Sequence, residues 1–62
     1  MFLIHEKTGR ELRNGDHVTD FRGEDHVLIG LFPNDGMNGK VELSGEMGLR
    51  YPSVIGAKFV EE

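Results

Sequence analysis

Three histidines, His5, His17 and His26, share the N-terminal half of the chain with Asp16, Glu24 and Asp25. Imidazole and carboxylate form a donor set for zinc or nickel. The spacing matches no metal-binding pattern, since His17 and His26 stand nine apart with a loop between them. If Val27, Ile29 and Leu31 share the core face of a strand, His26 points to solvent. The expectation is three surface histidines, with no metal and no cofactor. A nucleophile needs a base held by a third group beside it, and the hydroxyls on offer, Thr8, Thr19, Ser44 and Ser53, all fall in turns or strands. Glu24 and Asp25 are adjacent, so on a strand they face opposite sides. The glycines form no phosphate-binding or dinucleotide pattern. A barrel of this length leaves no room for a pocket of roughly 300–1,000 Å³. These points argue against an enzyme.

Recognition chemistry is concentrated in Asp20-Phe21-Arg22-Gly23. Phe21 can serve as an apolar anchor, and Arg22 as a bidentate donor to a carboxylate or phosphate. The same residues also read as a self-contained turn. Asp20 then accepts from backbone N–H groups, Phe21 plugs a barrel end, and Arg22 pairs with Asp20 or Asp25. A buried aromatic adds about 1.5–3 kcal/mol to so small a core, which favours the turn. The second candidate is the loop 33–39, Pro-Asn-Asp-Gly-Met-Asn-Gly, where Phe32, Asn34, Asp35 and Met37 are the contact residues. It also reads as a plain hairpin connection. Leu28 and Phe32 lie out of phase with the inferred core face. With Val60 they form an exposed apolar patch, or they are covered by Phe2 or Ile4.

The elements that position these residues follow from the glycines. Nine of them punctuate 62 residues, and the longest glycine-free stretch is residues 1–8. Each glycine in a helix costs about 1 kcal/mol against alanine, so a helix of three turns has no place. Apolar residues recur at every second position in Val27/Ile29/Leu31, Val41/Leu43, Met47/Leu49/Tyr51 and Ala57/Phe59, with Val18 in an earlier strand. Turns are read at 7–10, 14–16, 21–24, 33–39 and 44–46, and a 3₁₀ turn from Pro52 before the last strand. Gly30 suits a bulge or sharp bend inside its strand. Five or six short antiparallel strands in one domain hide their edges best by curling into a small SH3-like barrel. The expected fold class is therefore all-β, with residues 1–62 as one domain.

The segment from Gly9 to Val18, with Leu12, Gly15 and Asp16, resembles the entry of many SH3-like barrels. Tyr51-Pro52-Ser53-Val54 resembles the 3₁₀ turn before their final strand. More narrowly, the chain is similar to small phage and prophage proteins that carry Gly-Asp-x-Val-x-Asp-Phe-Arg-Gly, here residues 15–23, and a later Pro-Ser-Val, here residues 52–54. The resemblance spans nearly the whole chain. It implies a fold and an origin, but no activity.

Seven bases against eleven acids give −4, spread evenly: six acids and four bases in residues 1–31, five and three in residues 32–62. No basic footprint for phosphates is visible. A nucleic-acid module would need Arg10, Arg13, Arg22, Lys40 and Arg50 on one face. The absence of cysteine excludes disulfides and thiolate metal sites. No apolar run is long enough for a bilayer, and the N-terminus lacks a signal-peptide pattern. The expectation is a cytoplasmic, non-enzymatic binding module that meets a protein partner of the host or of a phage. Nucleic acid and a homo-oligomeric structural role are the alternatives.

Overall fold

A computed structural model of the chain describes residues 1–61, with extents of 28 × 24 × 19 Å. Six strands run in the order β1 (Phe2–His5), β2 (Glu11–Leu12), β3 (His17–Thr19), β4 (Asp25–Phe32), β5 (Lys40–Leu43) and β6 (Ala57–Val60). A 3₁₀ turn, Pro52–Ile55, precedes β6. Two antiparallel sheets, β2-β1-β6 and β3-β4-β5, face each other as a small SH3-like barrel. Leu3 is set between Leu12 and Phe59 in the first sheet, and Leu28 opposite Leu43 in the second. Leu3, Leu12, Val18, Leu28, Val41, Leu43, Ile55 and Ala57 form the buried core, with Leu31, Val54 and Phe59 packed against it. Both sheets thus supply alternate residues to one apolar centre. Among the described residues no helix is long and apolar enough to cross a membrane.

The turns fall where glycine and its neighbours predict, and the 3₁₀ turn begins at Pro52. Gly30 follows a register shift between Leu28 and Gly30 in the pairing of β4 with β5. A Cβ at position 30 would lie 2.8 Å from Phe32 Cε2 and 3.1 Å from Glu42 Cβ, so the strands close tightly only over a hydrogen.

Two expectations are corrected. In β4 the phase is reversed: His26, Leu28 and Gly30 are buried, Val27 is half-buried, and Ile29 is 48% exposed against 0% for Leu28. The bulge then resets the alternation, so Leu31 packs on the core after all. With Leu28 inside, no patch of Leu28, Phe32 and Val60 exists. Secondly, Met47, Leu49 and Tyr51 form no strand. Only Arg50 bridges Val41, through two 2.8 Å backbone bonds, because the chain turns at Gly48 with φ 79°. Met47, Leu49 and Tyr51 are left exposed.

Candidate functional site

The turn between β3 and β4 is built on Asp20. Its backbone N–H donates to the Glu24 carbonyl at 2.9 Å, and its carbonyl accepts from Gly23 N–H at 3.0 Å. Its Oδ1 accepts from the N–H groups of Arg22 and Glu24, both at 2.9 Å, as an aspartate opening a turn can. Phe21 N–H donates to the Val54 carbonyl at 3.0 Å, which ties this turn to the 3₁₀ turn. Asp20 is buried, yet Phe21 stands 78% exposed. The barrel-end plug expected of Phe21 is thereby corrected: the backbone bonds point its ring outward. Arg22 lies 3.2 Å from Glu46, 3.6 Å from Asp20 and 3.8 Å from Glu24, with its guanidinium 5.7 Å from the Phe21 ring centroid. Asp25 instead accepts from the Thr19 hydroxyl at 3.1 Å.

His26 is not a surface residue. It enters the barrel beside this turn, with Nε2 2.9 Å from Asp20 Oδ2 and Nδ1 2.9 Å from the Ser44 carbonyl oxygen. Ser44 is fixed in turn: its hydroxyl accepts from Val27 N–H at 2.7 Å, and its own N–H donates to the Val27 carbonyl at 2.9 Å. The hydrogen bond to Asp20, then the one to Ser44, raise the His26 pKa above its ordinary value. The hydrogen bond from His26 holds Asp20 down at about 2, with the Glu24 and Arg22 N–H groups helping against the cost of burial.

Asp20, Glu24, His26 and Glu46 offer donor atoms that all lie within 4.8 Å of one another. Here Asp20 Oδ2 and His26 Nε2 are turned to each other, and Glu46 is turned to Arg22 and Arg50. His5 and His17 stand apart from this group, along a groove with Thr8 and Arg10.

Half of the eight large apolar side chains left exposed, Met1, Phe21, Met37 and Tyr51, line grooves around the 3₁₀ turn. An open groove of about 610 Å³ runs between Met37, Tyr51, Pro52 and Phe59, with Met1 at its rim. Tyr51 is 59% exposed, Met1 56% and Met37 99%, and the Lys40 ammonium sits 5.2 Å from the Tyr51 ring centroid. A second open groove of about 310 Å³, lined by Phe21, Val54 and Gly56, shares Glu6 and Ser53 with the first. The surface thus carries grooves of a volume the length did not suggest.

Of the six predicted contact residues, Met37 and Phe21 line these two adjoining grooves, and Arg22 flanks Phe21. Phe32, Asn34 and Asp35 line neither. Phe32 lies beside Gly30 and Glu42, and Asp35 pairs with Lys40 at 3.3 Å. Tyr51 and Met1 were not singled out from the sequence. Tyr51 read as a strand residue, and its neighbour Gly48 was the signal against that. Comparison of the chain with protein-family models, with curated proteins and with solved structures finds none that matches.

Proposed function

We propose that the protein is a small non-enzymatic binding module, of phage or prophage derivation, that contacts a protein partner in the cytoplasm through the surface running from Phe21 past Ser53 to Tyr51 and Met37. One observation carries this reading. A chain with only four Phe and one Tyr leaves Phe21, Tyr51 and Met37 in solvent at the rims of two adjoining grooves. Aromatic residues and methionine are the types enriched in protein interfaces, and exposed apolar side chains gathered on one face mark them. The origin rests on the Asp20-Phe21-Arg22-Gly23 motif and the later Pro52-Ser53-Val54.

Nucleic acid is the weaker alternative. The five bases it requires are all engaged: Arg10 with Asp16 at 3.9 Å, Arg13 with Glu11 at 3.1 Å, Arg22 and Arg50 with Glu46 at 3.2 and 3.4 Å, and Lys40 with Asp35 at 3.3 Å. Phosphate contacts would have to displace these carboxylates on a chain of net charge −4.

The test is a selection of binders from a displayed random-peptide library, followed by calorimetry on the enriched peptides. Phe21→Ser, Tyr51→Ser and Met37→Ser are each expected to weaken binding by about tenfold or more. Peptides that bind all three variants as well as the parent would contradict the reading. So would oligonucleotide binding with a steep salt dependence in place of peptide binding.

A further inference from the structure

We infer that His26 is a protonation-controlled latch: as an imidazolium it ties the buried Asp20 to the Ser44 carbonyl, and loss of its proton releases the turn that presents Phe21 and Arg22. The geometry requires two donors on one ring. A carboxylate oxygen and a carbonyl oxygen are both acceptors, and each lies 2.9 Å from a different ring nitrogen. A neutral imidazole has one N–H and one lone pair, so it satisfies only one of them. Its lone pair would then face another lone pair in a buried site, a costly arrangement. Transfer of the proton to Asp20 is opposed by the two backbone N–H groups on Oδ1 and by Arg22 at 3.6 Å.

The surrounding charges agree independently. From the turn, Asp20, Glu24 and Arg22 face this region, and from the segment after β5, Glu46 and its partner Arg50. The turn after β5 contributes the uncharged Ser44 carbonyl, and β3 places the uncharged Val18 opposite His26. Three carboxylates against two guanidinium groups leave one negative charge, which the imidazolium cancels. Deprotonation removes the central cation of a cluster whose buried members are Asp20 and His26, and the released element is the Asp20–Glu24 turn. The latch itself stands apart from any partner. Only its consequence, control of how Phe21 is presented, rests on the binding reading above.

The experiment is a nuclear magnetic resonance titration of the free, wild-type protein from about pH 5 to about pH 9, across the histidine range. It follows the His26 ring nitrogens and the hydrogen-exchange protection factors of the Arg22 and Glu24 amides. Both ring nitrogens are expected to stay protonated above the ordinary histidine value of 6.5. Protection at Arg22 and Glu24 is expected to fall about tenfold in the step where His26 titrates, while protection at Val41 holds. A His26 that titrates at or below the ordinary histidine value of 6.5 would overturn the inference, as would protection at Arg22 and Glu24 that is constant through the His26 step. With no partner present, that failure would leave the binding reading standing, and a failed peptide selection would leave the latch standing.

Discussion

Asp20 and His26 show how one ion pair sets a pH window. The His26 pKa is raised in the fold, so its contribution to stability is complete below its ordinary value of 6.5 and is lost as pH rises through the folded value. Asp20 is depressed to about 2, so its contribution is complete above its ordinary value of 3.8 and is lost as pH falls through about 2. Urea denaturation across pH is therefore expected to give a plateau in mildly acidic solution, with separate alkaline and acid declines. Asp20→Asn should lower the plateau and flatten the alkaline decline, since an amide does not hold the imidazolium. An unchanged alkaline decline in that variant would show that the pair is not its source. Neither partner announces the other in the sequence. The turn chemistry of Asp20 was legible, but His26 finds its two acceptors six residues before it and eighteen after it. Only the folded strands bring those together, which is why a solvent-facing histidine was the natural reading.

β4 makes the same point for an element. Val27, Leu28 and Ile29 are all apolar, so a period of two fits either phase, and the neighbours of His26 decide. The phase has a measurable signature. Leu28→Ala is expected to cost about 2–5 kcal/mol, because it empties a fully buried site, whereas Ile29→Ala should stay within about 1 kcal/mol. Comparable losses at both positions in urea denaturation would contradict the phase. The β4–β5 connection carries a second prediction. Gly39 has φ 76°, and a Cβ there would lie 2.5 Å from the Phe59 ring. Gly39→Ala should cost at least about 2 kcal/mol, from the left-handed backbone and the overlap together. Gly45→Ala meets no atom within 4 Å and should carry the backbone cost alone, about 1–2 kcal/mol. Equal melting shifts for the two would mean that Phe59 does not pack on Gly39. The turns, the 3₁₀ segment and the bulge were legible because Gly, Pro and Asx chemistry acts locally. The segment 47–51 was misread because its alternation imitates a strand while Gly48 turns the chain.

At the scale of the whole molecule, 62 residues are expected to hold about 3–9 kcal/mol of stability, so every large apolar side chain left outside the core is a stabilising group forgone. Phe21, Tyr51 and Met37 lie outside it, on one continuous surface around the 3₁₀ turn. That surface was half legible. Phe21 and Met37 were named from turn composition, but Tyr51 was assigned to a strand, and Phe32, Asn34 and Asp35 were grouped with them only because the chain places them near Met37. Proximity in sequence is a poor guide in a barrel, where successive residues on a strand face opposite sides. The measurement that tests the account most directly is chemical-shift mapping of the labelled protein with a selected peptide. The account predicts perturbations at Phe21, Val54, Tyr51, Met37 and Phe59. Perturbations centred on Phe32, Glu42 and Asp35, or along Arg10 and Arg13, would contradict it.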